Sequence, residues 1–166
     1  MEGGVSVITI HATISKELVT QARTRLVPWT SRGAGVVIND LLTRDLDENV
    51  YLKILPQLVD TALRTKTVIS LGACFRSANI FDSCDNVQRS EINWQLKLAT
   101  EIKRAGVGVI IETPGHAKPS DIRKIAQMFK GCQYPIMPLG PISDLLRYVY
   151  PEPIFPLERY VDLNTR

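Results

Sequence analysis

The sequence predicts an α/β fold, and three observations predict it. Short runs rich in β-branched residues alternate with longer stretches whose apolar residues recur at helical spacing. The short runs are apolar on both faces, as strands inside a parallel sheet are. Turns containing glycine or proline separate the two kinds of segment. Residues 5–10 (VSVITI) form the first strand, which ends at His11. Ser15 N-caps a short helix that opens S-K-E-L. Residues 25–29 are expected as a second, weaker strand leading into the tight turn Ser31-Arg32-Gly33-Ala34-Gly35. Residues 34–44 and 47–64 read as helices, the second with Leu52, Leu55, Leu58, Val59 and Ala62 on one face.

The next unit is clearer. Residues 67–71 (TVISL) are a strand, a loop containing Gly72 follows, and 89–104 is a helix in which Leu96, Ala99, Ile102 and Lys103 keep the period. Residues 107–111 (VGVII) are a strand ending at Glu112, and Thr113-Pro114-Gly115-His116 is a turn. Ser120 is expected to cap a helix that runs to Lys130, Gly131 to stop it, and 135–139 to be a last short strand. Gly140-Pro141 shapes the turn that opens the last segment. Residues 150–157 (YPEPIFPL) hold three prolines in eight residues, which suits neither a helix nor a central strand. Residues 150–166 are therefore expected to be a Pro-rich C-terminal tail that wraps a surface or reaches a partner, with 1–149 the α/β portion. Right-handed crossovers are expected between the parallel strands.

Composition narrows the function classes. The chain has 166 residues, 45% of them hydrophobic and 22% charged, the proportions of one globular domain. At that length roughly 70% of the unfolded surface is buried on folding, so no disulfide or metal staple is needed. The net charge of +3 comes from basic residues spread along the chain with no run of four, so a phosphate-backbone stripe is missing and nucleic acid is not expected as a partner. No stretch approaches 18 uninterrupted apolar residues and no signal-peptide pattern opens the chain. A cytoplasmic protein with no membrane partner is expected. Cys74, Cys84 and Cys132 are widely spaced, without a C-x-x-C pair, and read as free thiols.

His11, Arg76, Glu112 and His116 all follow the carboxyl end of a strand. Both (β/α) barrels and open doubly wound sheets place ligands there, so position alone does not choose between them. E-T-P-G-H, residues 112–116, brings a carboxylate and an imidazole to one rim, able to bind a metal or to orient a substrate and handle a proton. The other reading is a helix-entry turn in which Glu112 pairs with Lys118 and His116 caps a main-chain carbonyl. S-R-G-A-G, residues 31–35, offers a hydroxyl, a guanidinium and open N–H groups before a helix, suited to phosphate or carboxylate, or else is a plain turn. It lacks the spacing of the dinucleotide and Walker motifs. His11 reads either as a satisfied rim histidine or as a ligand contact. Arg76 and Asn79 can hold a second anionic group.

In order, these stretches resemble the phosphomethylpyrimidine synthase (thiamine pyrimidine synthase, ThiC) family. Its motifs T-I-H-A, S-R-G-G, S-L-G-D-G-L-R-P-G-S, E-G-P-G-H and L-G-P stand here as Thr9-Ile-His-Ala12, Ser31-Arg-Gly-Ala34, Ser70-Leu-Gly-Ala-Cys-Phe-Arg-Ser-Ala-Asn79, Glu112-Thr-Pro-Gly-His116 and Leu139-Gly-Pro141. The resemblance covers about residues 3–144. It implies a partial TIM-barrel-like (β/α) domain and a role in thiamine pyrimidine biosynthesis. The family rearranges 5-aminoimidazole ribotide into the hydroxymethylpyrimidine phosphate with S-adenosylmethionine and a [4Fe-4S] cluster. By position, the resemblance implies that His11, Ser31, Arg32, Gly33, Arg76 and Glu112 line a ribotide site. It also implies that His116 is one of two histidines that bind a metal, zinc.

The departures set further expectations. The family's Asp-Gly-Leu before the loop arginine is Ala73-Cys74-Phe75, and Met137 stands where the family has a pocket tyrosine. The second metal histidine and the C-x-x-C-x-x-x-x-C cluster motif have no counterpart, and the three cysteines cannot replace that motif by spacing. The cluster and S-adenosylmethionine are therefore not expected here, and the chain is expected to lack radical synthase activity alone while keeping a rim for a small phosphorylated, ribotide-like ligand. Two alternatives stay open: a degenerate relative that self-associates as a homo-oligomer to protect unpaired strand edges, and a metal-dependent lyase using His11, Glu112 and His116.

Overall fold

The computed structural model describes Met1 and residues 3–139. Its elements are β1 (Val7–Ile10), α1 (Lys16–Ala22), α2 (Arg32–Thr43), α3 (Val50–Lys53), α4 (Leu55–Thr65), β2 (Val68–Leu71), α5 (Asn86–Arg104), β3 (Val109–Glu112), α6 (Pro119–Met128) and β4 (Ile136–Met137). The four strands form one parallel sheet in the order β1-β2-β3-β4. The α/β class expected from the sequence is the class observed. The Gly140-Pro141 turn, the domain boundary and the Pro-rich tail lie outside the described residues. Among the described residues, no helix is long and apolar enough to cross a membrane.

The register aligns Ile8 with Ile69, Ile10 with Leu71, Ile69 with Val109 and Leu71 with Ile111. Because side chains alternate along a strand, these residues share one face. That face forms a core with Ala62 of α4, with Ile92, Leu98, Ala99 and Ile102 of α5, and with Phe129. Val7, Thr9, Val68, Ser70, Ile110 and Glu112 point to the other face. There Val7 is 45% exposed, and Met137 beside Glu112 is 42% exposed. A second cluster joins α1 and α2 to the β2 exit loop through Leu18, Val19, Val37, Ile38, Leu41, Cys74 and Phe75.

Several boundaries differ from expectation for identifiable reasons. Residues 25–29 are not a strand. The Arg25 guanidinium is buried, donates to both carboxylate oxygens of Asp85 at 2.8 and 2.7 Å, and donates to the carbonyls of Pro28 and Phe75, fixing the segment as a loop. The single helix expected over 47–64 starts later, at the Asn49 cap, and breaks at Ile54. Pro56 has no N–H and its ring crowds the preceding turn, so α4 begins just ahead of it. Helix α5 starts before residue 89 because the Asp85 carboxylate accepts from Gln88 N–H. Ser120 is not a cap: Pro119 opens α6 and Lys118 holds the N-cap position without a side-chain bond. The last strand is Ile136–Met137 only. Ser15 does cap α1, and Cys74, Cys84 and Cys132 are free thiols.

Asn49 ties this architecture together. Its Oδ1 accepts from the N–H groups of Tyr51 and Leu52, while its Nδ2 donates to the carbonyls of Ala12 and Ile14 at 2.7 and 2.9 Å. The side chain therefore starts α3 and holds the β1 exit. Asn49→Ala removes a cap and strands two buried carbonyls, so urea denaturation is expected to show a loss of about 2–4 kcal/mol; a loss below about 0.5 kcal/mol would contradict this role.

Candidate functional site

The β1 exit delivers His11, and the start of α2 delivers the residue it meets. Ser31 Oγ accepts from Ala34 N–H as the N-cap of α2 and sits 3.2 Å from His11 Nε2. The imidazole lies between two glycines: a Cβ at either Gly33 or Gly72 would overlap the ring. His11 Nδ1 is buried with no partner among the described residues. Burial is the largest effect on this ring and holds its pKa below the usual histidine value; Arg76 adds to the lowering, and Glu112 opposes it.

Glu112, the last residue of β3, is buried. Its Oε2 accepts from Ala73 N–H at 2.7 Å and from Arg76 Nη2 at 2.9 Å. Arg76 Nε turns back to the carbonyl of Ala73, so the β2 exit loop holds the guanidinium from two sides. From the opposite side, buried Glu91 of α5 accepts from the N–H groups of Cys74 and Phe75 and from the Thr13 hydroxyl. Burial pushes the Glu91 carboxyl up, and the two N–H bonds work against that rise. Burial, reinforced by Glu91, pushes the Cys74 thiol well above its ordinary value. One turn further along α5, Gln95 Nε2 donates to the carbonyls of Leu71, Gly72 and Glu112.

His116 stands beyond the Pro114-Gly115 turn with φ of +36°. Gly115, also at positive φ, packs so closely on Leu139 that a Cβ would collide with it. Ser77 and His116 are joined twice: Ser77 Oγ donates to the His116 carbonyl at 2.6 Å, and His116 Nδ1 lies 3.0 Å from the Ser77 carbonyl. Thr30 Oγ1 is 3.3 Å from the same nitrogen. Burial lowers the His116 pKa, and the Ser77 carbonyl opposes that.

The structure thus brings His11, Ser31, Gly33, Arg76 and Glu112 together at the carboxyl ends of three adjacent strands, with His116 reaching the same rim through Ser77 and Thr30. Arg32 opens α2 exposed to solvent, with no side-chain partner among the described residues. Glu112 pairs with Arg76, not Lys118, which instead pairs with Asp121. His116 does bond a main-chain carbonyl, as one of the two readings of that turn expected.

The comparison with known proteins identifies the family. The sequence matches the radical SAM ThiC family over residues 1–146. The chain belongs to that family. It is 33% identical over 124 residues to the phosphomethylpyrimidine synthase of Pyrobaculum aerophilum, a match spanning 74% of this chain and 29% of that protein. It is 32% identical over 148 residues to phosphomethylpyrimidine synthase 1 of Saccharolobus solfataricus, spanning 86% of this chain and 34% of that protein. With the enzyme of Thermotoga petrophila, identity is 27% over 145 residues, or 85% and 34% of the two chains. The chain thus spans about a third of the length of the curated relatives it matches.

The ThiC family implies a zinc ion and an iron–sulfur cluster, and neither fits the described residues. His116 is held as metal-binding imidazoles are, through its other ring nitrogen. Zinc, however, needs three or four protein ligands, and no group of three His, Cys, Asp or Glu able to hold a metal occurs among the described residues. Cys74 and Cys84 are buried, and Cys132 lies beyond α6, so the three thiols do not form a cluster site.

Sequence reasoning missed Glu91, Gln95, Thr13, Ser77 and the Arg25–Asp85 pair. One signal was present: Asp85, Gln88, Glu91 and Gln95 recur at helical spacing beside the apolar face of α5. A polar stripe next to a core-facing stripe marks a helix that binds backbone.

Because the folded-state pKa of His11 lies below its unfolded value, the unfolded chain takes up a proton first on acidification. Its contribution to stability is complete above pH about 6.5 and is lost as pH falls through the lower folded value. The midpoint of thermal unfolding is expected to fall between pH 7.5 and 5.5, and His11→Asn to flatten that fall; an unchanged slope in the variant would rule the effect out.

Proposed function

We propose that this domain forms the anion-facing rim of a phosphomethylpyrimidine synthase type of site, binding a small phosphorylated ligand of the aminoimidazole ribotide class in thiamine pyrimidine biosynthesis. The observation that carries the reading is the convergence of His11, Ser31, Gly33, Arg76 and Glu112 on one rim of the sheet. The chemistry suits such a ligand. The first turn of α2 presents main-chain N–H groups that have no partner within the helix, and Arg32 adds a guanidinium beside them. Arg76, held by Glu112 and Ala73, keeps its fork rigid for a second acidic or carbonyl group. The Ser31 hydroxyl and the neutral His11 ring offer a donor and acceptor to a ribose or imidazole edge. In this reading the domain binds and orients, and no radical step is assigned to it, because Cys74, Cys84 and Cys132 lack the spacing of the cluster motif.

The same reading takes the sheet as part of a (β/α) barrel. Support comes from the strand order, which among the described residues runs consecutively without the reversal that defines a doubly wound sheet. Adding aminoimidazole ribotide at a hundredfold excess over its Kd is expected to raise the unfolding midpoint by about 5–10 °C, and Arg32→Ala to remove most of the shift. The absence of any shift at saturating ligand would overturn the reading.

A second reading is favoured by one observation, the exposure of Val7 and Met137 on the sheet face opposite the helices. Parallel sheets are covered on both faces, and self-association would cover this one. Sedimentation at micromolar concentration is expected to give a dimer or larger species that Val7→Asp weakens; a monomer at that concentration would dismiss it.

A further inference from the structure

Three consecutive main-chain N–H groups leave β2 without strand partners, and two carboxylates from different elements take them: Glu112 binds that of Ala73, and Glu91 binds those of Cys74 and Phe75. Glu91 is 1% exposed, and its hydrogen bonds go to Thr13, Cys74 and Phe75. Everything that meets its carboxylate is a donor, the Thr13 hydroxyl included. Only an acceptor-only group satisfies such a set; an amide would turn an NH2 against at least one of the N–H groups. The loop so held carries Arg76 as its next residue. Its Phe75 carbonyl also accepts from Arg25, which with Asp85 fixes the segment leading to Ser31, and the Phe75 ring packs edge-on against Trp29, with centroids 6.3 Å apart. One carboxylate therefore stands behind both halves of the rim.

We infer that Glu91 is a positioning residue for the ligand site: by gripping the N–H groups of Cys74 and Phe75 it sets the loop in the conformation that presents Arg76 to Glu112 and keeps the Ser31 turn in place. This rests on the reading of the rim as a ligand site. A merely structural glutamate would cost stability and leave binding alone. A positioning glutamate costs binding beyond what lost stability explains.

The test compares the full chain with Glu91→Gln and with Leu98→Ala, a buried change on the same helix that touches no loop N–H. Three quantities are read: affinity for aminoimidazole ribotide, the alkylation rate of Cys74 relative to Cys132 by peptide mapping, and proton exchange at Arg76 Nε by NMR. Glu91→Gln is expected to weaken binding and to speed both Cys74 alkylation and Arg76 exchange by on the order of tenfold or more. Leu98→Ala is expected to leave affinity within about twofold at comparable loss of stability. Wild-type affinity in folded Glu91→Gln would overturn the inference, as would unchanged Arg76 exchange. If the wild type binds no ribotide, the ligand reading fails, and the Arg76 and Cys74 measurements still decide whether Glu91 sets the loop. If Glu91→Gln does not fold, Thr13→Val removes one of the three donors and keeps the carboxylate; faster Arg76 exchange in that variant supports the inference, and an unchanged rate refutes it.

Discussion

A backbone leaving a parallel sheet loses its ladder partners, and the N–H and C=O groups it carries into the interior must be satisfied elsewhere. At the ends of β2 and β3, α5 supplies much of what is needed through side chains of opposite character. Gln95 gives N–H donors to the carbonyls of Leu71, Gly72 and Glu112, and Glu91 takes the N–H groups of Cys74 and Phe75. Without that exchange the loop would expose main-chain groups to an apolar interior at a cost of about 1–3 kcal/mol each. The rim inherits its shape from this arrangement. Arg76 follows the loop, Glu112 is anchored by its own carbonyl, and Phe75 supports the segment that ends in Ser31.

The charges at the rim are distributed to match. Glu112 is buried and neutralised by Arg76, so the pair keeps an ordered guanidinium near the surface without an isolated carboxylate beneath it. His11 sits between the fields of both and is kept neutral chiefly by burial. Arg32 adds an unpaired cation among the described residues at the helix start, where the macrodipole already favours anions. The result is a rim whose fixed partial charges are positive and whose one carboxylate is already engaged.

Local rules read much of this from the sequence and long-range pairing supplied the rest. Strand and helix positions followed from apolar period, because Ile69, Leu71, Ile111 and the α5 residues Leu98, Ala99 and Ile102 face a common core. His11, Arg76 and Glu112 were legible because each lies at or beyond a strand end, and Ser31, Arg32 and Gly33 because a glycine-containing turn precedes a helix. The choice of partner for Glu112 was not: Lys118 is six residues away in sequence and Arg76 thirty-six, yet the β2 exit brings Arg76 against it. Arg25 misled for the same reason. A β-compatible segment became a loop once Asp85, sixty residues on, took both sides of its guanidinium. The break in the helix expected over residues 47–64 was written locally, in Pro56, and the apolar face on either side of it masked the signal.

The placement of the His11 ring between Gly33 and Gly72 has a consequence for how such a chain can vary. Three positions, distant in sequence and drawn from a strand end, a helix start and a loop, share a single small volume. A side chain gained at either glycine would overlap the imidazole where it now stands, so the ring must swing aside or give way to something smaller. Substitution at any one of the three positions is therefore coupled to the other two, and the present position of the ring on the rim requires both glycines to stay bare.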